Sequence, residues 1–589
     1  MCSATYFPWN LKRICRLVYR RRVAFVALLI SQTTCISVAQ TPPDAGSLLK
    51  QSEPKQQLQL PSTTVEPKNT TRNNTEPNAA TIFVRTFILR GNSAVPTSEI
   101  NEILRKYLNK RLTFNQLQEA IAEIGALYQN RNRLAKVFLP EQEVESGKIE
   151  IEIVEARFGT TTIDERNLKR TQANRIVSII NAHQKSGELI DLLATERALL
   201  IAGDIPGVST SGAFVEGKKQ GSTDLALKLS DKQIVSGNAA TDNHGARGTG
   251  ITRYTGAASL DSALGFGETL TADAIKSQGL SFQQITTNLP TDNFGSRFSA
   301  SYSNMNYRIV SPDFATANLS GLSSKYVATY SHPILRQKRY NLYFLANINH
   351  ANFTNYANYD RTSQYYVRTA SMTISGNLSD SLGNGGETSG SISLRHGQVN
   401  LNGSPNHNTD ATSVRTGGHF NKFEFMIART QTITDQFALR GAWSQQLSDK
   451  NLDSSEKLFL GGPSAIRAYP VNEAGGAHGS VASLEMIYKP RDNIAITTFL
   501  DRGEVKLNHD NNYVGAPTQN ILVLKGAGLK LYTELENGLS FTAIYSRRIG
   551  SNPNPTTSGA DQDGSRIVDR IWGSINYKFM DPSSIFKMQ

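Results

Sequence analysis

The residue types that ordinarily do covalent chemistry are poorly placed in this chain. Its three cysteines, Cys2, Cys15 and Cys35, all fall within the first forty residues. The remainder has no thiolate nucleophile, disulfide scaffold or thiolate zinc site. Nine histidines are scattered, with no two at metal-ligand spacing in the sequence. Isolated Ser, His and Asp residues occur, but no Gly-x-Ser-x-Gly elbow and no Walker loop. Ala263–Gly267 reads as a turn. The residues therefore point to no enzyme, no cofactor and no metal. One stretch offers chemistry of another kind. In "LFLGGPSAIRAYPVNEAGGAHG" (Leu458–Gly479), Arg467 stands between Gly461-Gly462-Pro463 and Tyr469. A guanidinium keeps its charge when partly buried and can dock two N–H arms on one carboxylate. The bland alternative is a solvent-facing loop residue, which the glycine and aromatic neighbours fit less well.

The elements around that stretch are strands. From about residue 232 onward helical periodicity is absent, and short alternating segments are separated by turn clusters such as "TDNFG" and "NGSPNHN". In "GLSFTAIYS", Leu539, Phe541, Ala543 and Tyr545 face one way; in "YNLYFLANINH", Leu342, Phe344, Ala346 and Ile348 share a face. In "IWGSINYKF", Ile571, Ile575, Tyr577 and Phe579 oppose Trp572, Ser574, Asn576 and Lys578. Such a length of strand and turn accommodates about sixteen transmembrane strands. A solenoid would show a fixed short repeat, and a single sandwich would be smaller. Closure into a transmembrane antiparallel β-barrel leaves no exposed edge.

Two α+β units precede it. Residues 81–158 read as β-α-α-β-β. Phe83–Gly91 is a strand, Pro96 opens a helix, and Thr113 with Gln116 makes a capping box for a second helix. That second helix continues into "RNRLAK" (Arg131–Lys136), and Ile149, Ile151 and Ile153 alternate in a closing strand. Residues 159–231 repeat the order, with helices around Ile176–Ala182 and Ile190–Ile201 and a final hairpin. Residues 40–80, rich in Pro, Gln, Asn and Thr, read as a disordered linker that cannot bury a core. Leu48, Leu49, Leu58 and Leu60 permit a short helix there, and the residues leave open whether it enters a pore.

Residues 1–39 read as a signal peptide. Lys12, Arg13, Arg16, Arg20, Arg21 and Arg22 precede an apolar run, Val23–Ile30, and Ser37-Val38-Ala39 is a small-x-small cleavage site. The run is short for a membrane anchor, and Gln32-Thr33-Thr34 is a poor lead-in for lipidation at Cys35. Removing those six basic residues takes the formal charge from +12 to +6, spread without a basic block, so nucleic acid is not an expected partner.

In this order the parts resemble the transporters of two-partner secretion, the haemolysin/haemagglutinin activation-secretion family of POTRA-bearing barrels. "VFLPEQEVESGKIEIEIVEARFG" (Val137–Gly159) is similar to the close of that family's first POTRA domain, and Thr195–Leu229 to its helix, Pro-Gly turn and hairpin. "TDNHGARGTG" (Thr241–Gly250) resembles the opening of the first barrel strand, and Leu458–Gly479 resembles the loop that folds back into the barrel. The resemblance implies that Arg467 contacts an inner-wall aspartate, which "FLDRG" places at Asp501 beside Phe499. Two features depart from the pattern: Ala468 stands where the superfamily commonly has Gly, and "MDPSSIFKMQ" runs past Phe579.

The resemblance further implies an outer-membrane location, with the POTRA domains (81–158 and 159–231) in the periplasm. The partner would be a large secreted exoprotein of adhesin or cytolysin type, with lipids around the barrel and periplasmic chaperones as possible helpers. POTRA sheets could bind an extended client by strand addition. Phe83, Phe87, Arg131 and Arg133 are the candidate contacts, against the simpler reading that they serve the domain's own core. The rivals are an outer-membrane assembly factor and a solute porin.

Overall fold

The computed structural model describes residues 43–53, 60–61, 81–144, 146–168, 170, 172–219 and 221–579. The expected signal peptide, Leu58, most of the linker and the tail after Phe579 lie outside the described residues.

The start of the linker forms the short helix that Leu48 and Leu49 permit, but it is not the coreless segment expected. Asp44 caps helix α1 (Ala45–Ser52) and closes a capping box with Ser47. An octapeptide helix is too short to hold itself in water. Ala45, Leu48 and Leu49 are nonetheless almost fully buried, packed among barrel residues that include Phe282, Phe353 and Tyr365. A segment expected to bury no core thus borrows one from residues hundreds of positions away. Leu60 is not helical.

The first α+β domain comprises β1 (Thr81–Val84), β2 (Thr86–Arg90), α2 (Thr97–Leu104), β3 (Lys110–Thr113), α3 (Phe114–Asn130), β4 (Ala135–Phe138) and β5 (Lys148–Glu155). Pro96 and the Thr113–Gln116 box stand at the helix starts as read. The inward faces of α2 and α3 pack Ile100, Leu104, Leu117, Ile124 and Tyr128 with Ile149, Ile151 and Ile153. Three details are corrected. The Phe83–Gly91 strand is two strands, because β1 pairs with β3 while β2 pairs in parallel with β5. The order therefore gains β3 between the helices. Arg131–Lys136 does not continue α3, since Asn132 adopts φ 58° and the chain turns into β4.

One ionised group organises this domain. Glu155 accepts from the Ser93 hydroxyl, from the Ser93 and Ala94 amides at 2.7 Å each, and from Tyr128 Oη at 2.8 Å. Burial works against its charge, yet these donors together hold the carboxyl below its ordinary value. Burial and the Glu155 hydrogen bond push the Tyr128 phenol up.

The second domain runs β6 (Arg157–Asn167), α4 (Ala173–His183), α5 (Leu192–Gly203), β7 (Val208–Glu216) and β8 (Ser222–Asp231), with strand order β6-β8-β7. This is the β-α-α-β-β order expected. The expected boundary at 158/159 falls inside β6, whose pairing with β8 already begins at Arg157.

Sixteen strands then close an antiparallel barrel. They begin with β9 (Val235–Asp242), β10 (Arg253–Asp261), β11 (Thr269–Lys276), β12 (Leu280–Pro290) and β13 (Arg297–Arg308). The longest follow, β14 (Ser320–Arg336), β15 (Tyr340–Ala357), β16 (Asp360–Asp380), β17 (Gly386–Asn400) and β18 (Gly418–Thr432), and then β19 (Phe437–Ser448). The β19 loop carries a minor hairpin, β20 (Leu458–Leu460) and β21 (Ala474–Gly476). The wall resumes with β22 (His478–Arg491), β23 (Ile494–Lys506), β24 (Ile521–Glu534), β25 (Leu539–Arg548) and β26 (Asp569–Phe579). Pairing of β26 with β9 closes the ring. Thr241–Gly250, expected to open the first strand, instead ends it: β9 begins at Val235, and Asn243 starts the following loop.

One barrel end has short turns and the other has long loops, the longest being 449–477. Outward positions are apolar, including Leu342, Phe344, Ile348, Phe541 and Ile571, and aromatic Tyr330, Tyr340, Phe437, Tyr577 and Phe579 ring the turn end. This is the lipid-facing band and aromatic girdle of a membrane barrel. Among the described residues no helix is long and apolar enough to cross a membrane; the strands do so. The second α+β domain docks at the turn end. Asp204 receives both arms of the Arg336 guanidinium at 2.7 and 2.9 Å, and Arg197 donates to the Pro333 and Ile334 carbonyls.

Candidate functional site

The 449–477 loop enters the lumen because its sequence lets it fold tightly and the wall leaves room. Gly461 and Gly462 adopt φ of 93° and 86°, a left-handed pair that a side chain disfavours. The Gly462 amide donates to the Tyr469 carbonyl at 2.9 Å and pinches the tip. Ile466, Ala468 and Tyr469 are wholly buried beside Leu460, Val505, Leu522 and Leu524. Opposite them the wall carries glycines. A Cβ on Gly503 would sit 2.9 Å from Ile466, and one on Gly526 would sit 2.6 Å from the Ala468 methyl. The methyl of Ala468, at the position where the superfamily commonly has Gly, is accommodated by this absence of side chain on β24.

Arg467 lies at the centre. Its Nε and Nη2 donate to Asp501 Oδ2 and Oδ1 at 2.8 and 2.6 Å, and its amide reaches Oδ2 at 3.2 Å. Nη1 donates to Glu485 Oε1 at 2.8 Å, and Nη2 also reaches Ser483 Oγ at 2.9 Å. The guanidinium carbon stands 3.4 Å from the centroid of the Phe499 ring. The Arg467 carbonyl accepts from Ser546 Oγ and Trp572 Nε1, both at 2.7 Å. Arg467 is 6% exposed and Asp501 4%, so the pair is desolvated and its fork geometry matters. Tyr469 lies under the Arg548 guanidinium at 4.4 Å.

Arg467, Tyr469, Phe499, Asp501, Gly461, Gly462 and Pro463 are thus brought to one place. Glu485, Ser483, Ser546 and Trp572 complete it and were missed. Glu485 and Ser483 are the Cα partners of Phe499 and Asp501 across β22 and β23, so strand register was the signal that could have found them.

A second obstruction fills the lumen. Helix α1 is held at the loop end, where the Ala45 amide donates to Asn355 Oδ1 at 2.9 Å and Ser454 Oγ donates to Asp44 Oδ2 at 2.7 Å. A Cβ on Gly46 would meet the Ser455 amide nitrogen at 2.9 Å, so the helix and the 449–477 loop are in close contact. Glu53 pairs with Lys325 at 2.8 Å. Lys422, itself 3% exposed, holds Glu456 at 2.8 Å and Glu424 at 3.2 Å. A cavity of about 20 Å³ is left between α1 and this part of the wall. The Pro61 carbonyl accepts from Asn377 Nδ2 at 2.9 Å near the turn end. The linker therefore has one foot at each end of the lumen.

The candidate client contacts divide. Phe83 is 42% exposed, whereas Phe87 packs against the domain core. Arg131 pairs with Glu99 at 2.7 Å and Arg133 with Asp191 at 3.9 Å.

With this geometry in view, comparison with known proteins is decisive at family level. Residues 221–531 match the family described as haemolysin secretion/activation protein ShlB/FhaC/HecB, and residues 82–156 match the ShlB-type POTRA domain. The heme/hemopexin transporter protein HuxB of Haemophilus influenzae is 26% identical over 456 residues, covering 75% of this chain and 79% of HuxB. The outer membrane transporter CdiB of Dickeya dadantii is 22% identical over 386 residues, covering 64% of this chain and 66% of CdiB. The solved structure of CdiB from Escherichia coli superposes with a TM-score of 0.65 at 15% identity, over 88% of this chain and 94% of CdiB. That of BamA from Haemophilus ducreyi lacking POTRA domains 1–3 gives 0.51 at 13% identity, over 85% of this chain and all of that one; both likenesses speak to the fold. The chain belongs to the haemolysin secretion/activation family, outer-membrane transporters of two-partner secretion whose POTRA domains lie in the periplasm.

Proposed function

We propose that this transporter exports one dedicated exoprotein through its own lumen, with α1 as a removable plug and the Arg467–Asp501 pair as the anchor of the inserted loop. The observation that carries this reading is the double obstruction. The wall is a closed ladder of strands, while its lumen is filled by two segments of the same chain that touch each other through Asp44 and Ser454. A pathway through the lumen requires these segments to move, and both are held by side chains rather than by the wall's backbone ladder.

The client enters unfolded from the periplasm. Among the described residues the outer edge of β7 in the second POTRA domain and the edge of β2 in the first are unpaired, and an extended chain adds to such edges with little demand on its sequence. Phe83 is the better of the named contacts, because it is exposed beside β2, while Arg131 is paired inside the first domain and Arg133 reaches Asp191 of the second. Folding at the cell surface makes export directional without nucleotide, since a buried core does not return through the pore. The cargo is of adhesin or cytolysin type, or, as the name of the heme/hemopexin transporter protein HuxB suggests, connected with heme or hemopexin.

The test compares culture supernatant and outer membrane of the native host with and without this gene. Loss of one or a few large exoproteins, with other barrels at normal levels, supports dedicated export. A broad fall in outer-membrane barrels would make this an assembly factor instead.

A further inference from the structure

We propose that His396 and His419, on the outward face of the barrel at the extracellular end, form a two-imidazole site for a late first-row divalent metal ion such as Cu²⁺ or Zn²⁺. They lie 23 positions apart in sequence, at the feet of the 401–417 loop. The β17–β18 register sets His396 opposite Asn421 and Gln398 opposite His419, so the two histidines are diagonal neighbours on one face. Their rings stack at 17° with centroids 5.3 Å apart, and His396 Nε2 lies 3.3 Å from His419 Nδ1. Two nitrogens bound at about 2.0–2.1 Å to one tetrahedral ion stand roughly 3.3 Å apart.

The surrounding hydrogen bonds set the tautomer that ligation needs at His396. The Asn421 side-chain amide donates to Asp449 Oδ2 at 2.6 Å, and its backbone amide donates to Asp449 Oδ1 at 2.8 Å. The amide of Asn421 is thereby oriented with Oδ1 toward His396 Nδ1, at 2.9 Å. Nδ1 of His396 then carries the proton, and the Nε2 lone pair points at His419. A ligating imidazole held through its other nitrogen by an oriented acceptor is the usual outer-shell arrangement of a metal site.

A second stacked pair, His478 and His509, provides the contrast. Its nitrogens approach to 2.9 Å, but the Ser448 amide donates to His478 Nδ1, so Nε2 of His478 bears the proton and donates to His509. That pair is an N–H···N hydrogen bond with no lone pair to spare. The nearby Arg368 turns away from His396, onto His350 Nδ1 at 3.1 Å and the Tyr366 ring. Among the described residues no group of three or more His, Cys, Asp or Glu side chains forms a metal cage, so water would complete the coordination. Imidazole pairs suit the later metals of the first row, and binding to neutral rings weakens in acid. A bound ion would staple β17 to β18 and, through Asn421 and Asp449, steady the start of the 449–477 loop.

The test uses the full mature protein in detergent, carrying no polyhistidine tag. Cu²⁺ is titrated in competition with a weak chelator, and the bound ion is examined by electron paramagnetic resonance. Expected is one Cu²⁺ with two equatorial imidazole nitrogens, displaced by Zn²⁺ only in large excess. Affinity should fall at least ten-fold in His396→Ala and in His419→Ala, and several-fold in Asn421→Leu, with His478→Ala unchanged. These side chains point outward, and heat-modifiable migration on gels confirms that each variant is folded. Copper coordination unaltered in the His396 and His419 variants, or lost with His478 or His509, overturns the site.

Discussion

Replacing Asp501 with Asn tests whether charge or packing holds the inserted loop. The change keeps shape but removes the carboxylate that accepts two arms and the amide of Arg467. A hydrogen bond to an ionised partner contributes about 1.5–3 kcal/mol, against about 1 for a neutral one. Two side-chain arms passing from a charged to a neutral acceptor forfeit roughly 1–4 kcal/mol. Glu485 still neutralises the guanidinium at 2.8 Å, which keeps the loss in the lower half of that range, about 2 kcal/mol, or ~30-fold in the docked-to-undocked ratio. Burial of Ile466 and Tyr469 contributes on the order of 2 kcal/mol each, so the loop should loosen without leaving. Hydrogen exchange read by mass spectrometry reports this through the Gly462 and Tyr469 amides, bonded within the loop. Their protection should drop about thirty-fold in Asp501→Asn, while amides of β23 stay unchanged. Unaltered protection would mean that packing alone holds the loop and that Arg467 is incidental.

Leu48→Asp with Leu49→Asp removes both large apolar anchors of α1 and should raise single-channel conductance in planar bilayers, with the barrel still folded. Gly526→Val drives a branched side chain into Ala468 and should expose the same loop amides as Asp501→Asn, at a cost of about 1–3 kcal/mol. Asp204→Ala strands the Arg336 guanidinium, so the second POTRA domain should swing more widely, visible as a broader distance distribution between spin labels on that domain and the barrel. The depressed Glu155 carboxyl contributes stability that is present above the ordinary carboxylate range and lost as pH falls through its lowered value. Urea melts of the first POTRA domain's signals should therefore weaken in acid, and Glu155→Gln should be less stable at neutral pH with a flatter acid limb.

What could be read before the fold was known follows period and local chemistry. The alternation in Leu539–Ser546 and Tyr340–His350 gave the lipid face directly, because a strand's two faces are written two residues apart. The Thr113–Gln116 box is likewise local. Whatever depends on register was hidden. Glu485 joins Arg467 only through the pairing of β22 with β23, and His396 meets His419 only across β17 and β18. The linker was misjudged for a related reason. Composition measures whether a segment can build its own core, and α1 uses the lumen's. The β3 strand was lost inside a helical pattern because four residues carry too little periodicity to announce a strand.

The energetics of the two possible openings also favour the lumen over the wall. Parting β26 from β9 would strip the pairing from Ser574–Asp242 to Phe579–Gly237 and leave backbone amides and carbonyls facing lipid. Each such group costs several kcal/mol where no water can replace its partner. Withdrawing α1 uncovers two leucines and an alanine, about 5 kcal/mol by area, and exposes Lys422, Glu424 and Glu456 to water, which solvates them. An extended client of mixed polarity entering that space would recover much of the apolar contact and leave the charges paired or wet. Exchange of plug for client is thus close to balanced, so a modest binding free energy at the POTRA edges is enough to tip it, while the wall stays shut.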